Sequence, residues 1–187
     1  TGIIRLVARH GFKAWVCDGE LTWAGDPDVL LYSHLFCLSK FPELLDTAFL
    51  VIRGKHVLFL HWYHHISVLL YCWYVTQKRY PATPFACINA FVHSVMYYYY
   101  MRTAQEIKPA FAKMVTQIQL IQMAIGMGFT AIFMYWHSQS PSCNGGATIQ
   151  ASGLLETTFG ITGAMYFSYF VLFGILYIDR YCKKSKG

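Results

Sequence analysis

Apolar residues in this chain run in long uncharged blocks rather than in short alternating stretches. His56–Gln77, Tyr80–Met101, Met114–His137 and Thr157–Ile178 contain no Lys, Arg, Asp or Glu. Each is near or above the roughly 20 residues an α-helix needs to cross a 30 Å hydrocarbon core. A further block, Val29–Ile52, is apolar at both ends and interrupted by Lys40, Glu43 and Asp46. The pattern predicts an all-α, polytopic membrane protein, one domain over residues 1–187, with spans at about 29–52, 56–77, 80–101, 114–137 and 157–178. The competing reading is a large soluble helical core. Uncharged runs of this length, with charge at their ends, argue against it. Gly11–Asp28, punctuated by Gly19, Gly25, Asp26 and Pro27, reads as a loop, as does the Ser/Gly-rich stretch Ser138–Gly153. No signal peptide is visible, and a chain that opens on Thr1 without Met is expected to lack an N-terminal portion.

Composition sharpens the membrane reading. Charged residues make up only 13% of the 187 and hydrophobic ones 56%, against about 25% charged in a soluble domain. The net charge of +6 is concentrated on one side of the predicted spans. Arg53, Lys55, Arg102, Lys108, Lys113, Arg180, Lys183, Lys184 and Lys186 share that side, so the positive-inside tendency makes the C-terminus cytosolic. Because this charge flanks spans instead of forming one face, a nucleic-acid partner is not expected. Cys37, Cys72 and Cys87 fall within spans and read as small apolar residues, and Cys182 falls on the cytosolic side. Cys17 and Cys143 lie in far-side connections, oxidising in an endoplasmic-reticulum setting, and are expected to form a disulfide.

Against this apolar background the polar residues recur at helical spacing. His61, His64 and His65 occupy i, i+3 and i+4 on one face, roughly 9–15 Å along the axis from the basic turn at Lys55. Lys40, Glu43, Asp46 and Thr47 share a face of the first span, and Lys40 can pair with Glu43. Pro42 is expected to bend that helix. Asn89, His93, Met96 and Tyr100 line one face of the third span, as do Thr116, Gln119 and Gln122 of the fourth. Each has a plainer explanation. A lone histidine is more often a satisfied structural residue, four consecutive tyrosines an interfacial belt, and membrane amides ordinary interhelical glue. Together they come from four spans and sit mainly in the cytosolic half, which is sensible only if they line a shared cavity. The last span has no ionisable group and reads as wall. A cavity that is polar near one mouth and apolar beyond suits a ligand with a polar head and a long apolar tail.

These residues carry a resemblance. Lys40-x-x-Glu-x-x-Asp-Thr47, His61-x-x-His-His65, Asn89-x-x-x-His-x-x-Met-Tyr-x-Tyr-Tyr100 and Thr116-x-x-Gln-x-x-Gln122 stand in the order and spacing of the fatty acid elongases, the very-long-chain 3-oxoacyl-CoA synthases. The resemblance implies a helical barrel around an acyl tunnel, of whose seven spans this chain resembles the last five. It implies condensation of a long-chain acyl-CoA with malonyl-CoA, with His64 as acyl acceptor and His93 opposite it. His61 and His65 would orient His64, and Asp46 and Asn89 would support them. Lys40, Glu43, Tyr97, Tyr100, Gln119 and Gln122 are the expected substrate-binding residues. Neither metal nor other cofactor is expected. The lipid bilayer, the acyl-CoA and malonyl-CoA substrates and the other enzymes of the elongation cycle are the expected partners, and homo-oligomerisation is left open. The implied location is the endoplasmic reticulum membrane, multi-pass, with Lys183-Lys184 resembling a retrieval signal set one residue out of place. Trp62-Tyr63 resembles the branch acting on saturated and monounsaturated chains. Chain length is expected to be set by bulk near Phe129, Phe133 and Met165. Two other readings stand beside this one. A membrane di-iron desaturase or hydroxylase also uses His-x-x-His-His but needs about eight imidazoles in boxes, and His10, His34, His56 and His137 lack box spacing. The other is a non-enzymatic lipid-binding membrane protein.

Overall fold

A computed structural model describes residues 2–17, 27–52, 54, 57–77, 83–107, 110–139, 143 and 152–183. They form six α-helices: α1 (Gly2–Cys17), α2 (Pro27–Ile52), α3 (Phe59–Gln77), α4 (Thr83–Ala104), α5 (Ala112–Gln139) and α6 (Ser152–Tyr177). A short π-helical turn, Ile178–Cys182, continues α6. The five predicted spans correspond to α2–α6, with ends displaced by a few residues. The loop expected from Gly11 onward is corrected: helix continues to Cys17, and only Gly11, at φ 81° and ψ 166°, breaks it. Glycine takes that conformation without the Cβ clash that an L-residue would meet. Pro42 lies inside a continuous α2. The expected Lys78–Pro81 turn lies outside the described residues.

Contacts between neighbours close α2–α6 into a ring, in the order α2, α3, α6, α5, α4 and back to α2, while α1 packs on α5 and α2. The outer faces are apolar. Leu31, Leu35, Leu38, Leu45, Phe49, Leu70, Trp73, Phe91, Ile121, Ile125, Tyr135, Ile161, Phe167 and Ile175 are all exposed. So much outward apolar surface spread over every helix of the ring is what a hydrocarbon solvent asks for and what water penalises. Among the described residues, Ala112–Gln139 and Thr158–Cys182 are the two helices long and apolar enough, by length and composition alone, to cross a bilayer. The 26, 19 and 22 residues of α2, α3 and α4 are long enough. Their average hydropathy is lowered by the lysine, carboxylates, histidines and tyrosines they carry.

Helix α3 is tied to α6 by hydroxyls rather than by apolar packing alone. Tyr63 reaches Ser168 (3.0 Å), Ser67 reaches Tyr169 (2.6 Å), Tyr71 reaches Thr162 (2.5 Å) and Tyr74 reaches Thr158 (3.3 Å). Positions 63, 67, 71 and 74 recur at helical spacing, so the four bonds form one ladder. In a bilayer, where water does not compete for the hydroxyls, such bonds hold helices in register.

At the end of the ring opposite the histidines, Cys17 and Cys143 are joined by a disulfide, S–S 2.06 Å. It ties the end of α1 to the connection between α5 and α6. Both cysteines belong to a cluster with Val16, Val75, Phe133 and Phe159, and His137 Nδ1 meets the Cys143 carbonyl at 2.7 Å. The bridge spans 126 residues of sequence. Loop closure on that scale contributes about 4–5 kcal/mol for a chain that unfolds fully, and less where helices stay formed in the bilayer. Cys143→Ser should therefore lower Tm in detergent by about 5 °C or more and abolish any response of Tm to reductant. A wild-type Tm insensitive to reductant would contradict this account of the bridge.

Candidate active site

The site begins with a buried ammonium. Lys40, on the inward face of α2, is only 3% exposed, and a cation there must find partners without water. Its Nζ donates to Glu43 Oε1 at 2.6 Å, one helical turn along, and to Asn89 Oδ1 of α4 at 2.8 Å. One turn further on, Tyr97 of α4 donates from its hydroxyl to Asp46 Oδ2 at 2.9 Å. Two polar bridges, Lys40–Asn89 and Asp46–Tyr97, thus set the register of α2 against α4. The other oxygen of Glu43 lies 3.7 Å from His93 Nδ1, close enough for attraction but long for a hydrogen bond.

Helix α3 brings the histidines to the same interior. The His61 and His65 rings meet edge to face at 4.6 Å, and His64 and His65 at 5.5 Å. His64 faces His93 across the ring at 6.3 Å with the planes 27° apart. Two residues of α6 pack on His64, Tyr169 at 4.7 Å and Phe173 at 6.3 Å. Ser67 donates to the backbone carbonyl of Tyr63, also approaches that of His64 at 3.3 Å, and bonds the Tyr169 hydroxyl. It therefore couples the tyrosine to the backbone that carries His64. Among the described residues, His61 Nε2, His64 Nδ1 and His93 Nδ1 are buried without a hydrogen-bond partner. Unpaired buried ring nitrogens cost free energy, and three at one place mark a site arranged for something other than its own stability.

His64 stands between two spaces. A cavity of about 520 Å³ is lined by His61, His64, His65, His93, Asp46, Met96, Tyr99, Tyr100, Thr116, Gln119, Arg180 and Tyr181, among others. A second, of about 40 Å³, leads from His64 between Phe36, Val68, Tyr71, Cys72, Val75, Phe85, Met123, Met165, Tyr166 and Tyr169, with Asn89 and Gln122 also on its wall. The first is polar near the histidines and Arg180. The second is almost wholly apolar.

The predicted site residues are largely brought together, with changes of role. Asn89 and Asp46, expected to support histidines, instead bond Lys40 and Tyr97. His61 and His65 touch without any hydrogen bond to His64. Gln119 lines the wide cavity and approaches Met96 Sδ at 3.5 Å, and Gln122 lines the narrow one. Tyr97 is tied to Asp46, while Tyr100 lines the wide cavity. Trp62 is exposed and packs on Phe59, and Tyr63 stacks on Phe59 and bonds Ser168; neither is on the wall of the two cavities that meet at His64. Phe133 belongs to the disulfide cluster, stacked on Phe159 at 3.8 Å, not to the narrow cavity. The reading of the last span as plain wall is corrected: Tyr169, Phe173, Arg180 and Tyr181 all belong to the site. An uncharged Tyr or Ser on an apolar helix has no signal of its own in sequence.

Four imidazoles meet here. His34 is an exposed residue bonded to the Leu30 carbonyl, and His137 sits at the Cys143 carbonyl; His56 lies outside the described residues. Among the described residues no group of three or more His, Cys, Asp or Glu side chains is placed to hold a metal ion. Lys183 of the dilysine pair bonds Asp179 at 2.6 Å; Lys184 is not among the described residues.

A sequence profile of the "ELO: GNS1/SUR4 family" matches residues 1–187. The chain is 36% identical over 188 residues to "Very long chain fatty acid elongase 4" of Trypanosoma cruzi, covering 98% of this chain and 62% of that protein. It is 40% identical over 153 residues to "Very long chain fatty acid elongase 6" of Drosophila melanogaster, covering 80% and 46%. It is 33% identical over 187 residues to the mouse protein of that name, covering 98% and 66%. The chain thus spans less than two thirds of the length of these curated relatives. No solved structure matches it significantly.

The ion pair yields a direct check. Glu43→Met leaves the Lys40 ammonium buried without a counter-charge, held only by Asn89 and the face of the Phe36 ring 4.2 Å away, and should cost about 3–5 kcal/mol, read as a drop in Tm. Lys40→Met combined with Glu43→Met should recover most of that loss, because both charges are then gone. If Glu43→Met unfolds at the wild-type temperature, Lys40 is not held as described.

Proposed function

The chain belongs to the ELO family (GNS1/SUR4), and from that premise we propose that the protein condenses a long-chain acyl-CoA with malonyl-CoA to a 3-ketoacyl-CoA two carbons longer, releasing CO2 and CoA. The observation that carries the reading is the position of His64, on the wall of both a wide polar cavity and a narrow apolar one. A thioester placed with its CoA in the first and its chain in the second presents its carbonyl to that ring.

His64 then attacks the thioester carbon as a neutral imidazole nucleophile. The C–S bond breaks, CoA leaves as its thiol with the proton that the imidazole gives up, and an acyl-imidazole remains. Malonyl-CoA enters the vacated wide cavity, where His93 faces His64 and Lys40 lies behind Glu43. Loss of CO2 leaves the electron pair on the α-carbon as an enolate, which attacks the acyl carbon and expels His64, whose ring nitrogen takes up a proton from solvent and returns to neutral imidazole. Decarboxylation supplies the carbanion, so the scheme asks for no metal or redox cofactor. His93 orients the malonyl thioester, and Tyr169 and Ser67 hold the His64 ring against rotation.

The substrates we assign are saturated or monounsaturated long-chain acyl-CoAs, on the resemblance of Trp62-Tyr63 to that branch. We assign the setting to the endoplasmic reticulum membrane with a cytosolic C-terminus, in which Arg180 and Tyr181, on the wall of the wide cavity, would lie toward the side where CoA esters are found. Reduction and dehydration of the 3-keto product by the other enzymes of the cycle would follow.

The test uses the full-length gene product in detergent or nanodiscs, with palmitoyl-CoA, isotope-labelled malonyl-CoA and mass spectrometry of the acyl products. A labelled 3-keto product two carbons longer is expected, and His64→Ala should reduce it to background. A folded wild-type protein that makes no such product across a series of acyl-CoAs, or a His64→Ala variant that turns over like wild type, contradicts the proposal.

A further inference from the structure

The narrow cavity beyond His64 is too small for what the proposed reaction would place there. At about 40 Å³ it has room for a few waters at most, whereas sites that enclose sizeable ligands measure about 300–1,000 Å³. Its wall nevertheless runs along α3 from His64 to Val75, about 16 Å at the helical rise. An acyl chain can follow that wall only if side chains give way.

The lining differs in how readily it can do so. Met123 and Met165 are unbranched thioethers that change shape at little cost. Phe85 and Tyr166 are not. Their ring centroids lie 5.5 Å apart, and Phe85 is backed by Phe129 at 6.0 Å. Tyr166 has one feature that sets its position, the absence of a side chain on α5 beneath it. A Cβ built at Gly126 would stand 2.5, 2.6 and 2.9 Å from Tyr166 Cε1, Cδ1 and Cζ. The ring therefore lies directly on the α5 backbone, drawn back from the channel as far as the helix allows. Gly128, two residues on, meets nothing within 4 Å.

We infer that Tyr166, seated on Gly126, sets how far an acyl chain reaches past His64, so that position 126 and position 166 together determine the longest chain accepted. The inference rests on the condensing reading above. Any side chain at 126 drives the ring off α5 and into the channel it lines. A smaller residue at 166 opens that space.

The experiment is a competition of even-numbered acyl-CoAs of increasing length, with labelled malonyl-CoA, on full-length wild-type protein and on Gly126→Ala, Tyr166→Leu and Gly128→Ala. Gly126→Ala should lower the preference for the longest wild-type substrate over the next shorter one by about tenfold, the effect of failing to bury two methylenes. Tyr166→Leu should shift the preference the other way by a similar factor, and Gly128→Ala should keep the wild-type profile. An active wild type whose length profile is the same in Gly126→Ala and Tyr166→Leu overturns this inference and leaves the condensing reading standing. So does a shift in Gly128→Ala equal to that in Gly126→Ala. Should Gly126→Ala fail to fold, Tyr166→Leu decides alone, and its failure to favour longer chains counts against the inference. A wild type with no condensing activity overturns both readings.

Discussion

A lysine ammonium inside a helix that faces hydrocarbon is the constraint on which the arrangement depends. Lys40 cannot be left without partners there, because no water is available to replace them. Its partners are Glu43 on the same helix and Asn89 on α4. The second of these bonds joins residues 49 apart in sequence, and with Asp46–Tyr97 it sets the rotation of α4 relative to α2. That rotation points His93 inward. Glu43, held by Lys40 through one oxygen, is left facing His93 with the other. Such a pair contributes less to net stability than to defining one arrangement out of several, since desolvating two charges offsets most of their attraction.

The other half of the site is set by the ladder of hydroxyls between α3 and α6. Its second bond, Ser67 to Tyr169, holds the ring that packs edge-on against His64, and Ser67 also approaches the carbonyl of His64 itself. The two histidines that face each other are thus positioned by independent means, one by an ionic anchor and one by a neutral network. Between them His64 lies where a polar space meets an apolar one. A molecule with a charged head and an aliphatic tail placed by that boundary has its junction at the imidazole. This is how the fold turns a gradient of polarity into a place for chemistry.

The helices and the polar face were largely legible in sequence because both rest on periodicity. Long uncharged blocks mark α3–α6, and Lys40, Glu43 and Asp46 at helical spacing mark the inward face of α2. Pairings across the ring were not legible. Asn89 could have served a histidine as well as a lysine, and only the packing of α2 on α4 decides it. Tyr169 and Ser67 sit in uncharged stretches where a hydroxyl changes little in a hydropathy average. Arg180 lies beyond the last apolar block, and the π-helical turn that continues α6 brings it to the wide cavity. The helix to Cys17 was hidden by Gly11, whose positive φ breaks the element without ending it. Phe133 was placed by its depth alone, and depth does not say which of two apolar clusters a side chain joins.

If His64 carries the acyl group, that group can be trapped and found on the protein. Full-length protein incubated with acyl-CoA alone, without malonyl-CoA, would be quenched, digested and mapped by mass spectrometry. An acyl mass increment is expected on the peptide containing His61–His65, localised to His64, and should disappear when malonyl-CoA is added. An increment on another residue, or CoA release with no acylated peptide while the complete reaction proceeds, would contradict that role of His64.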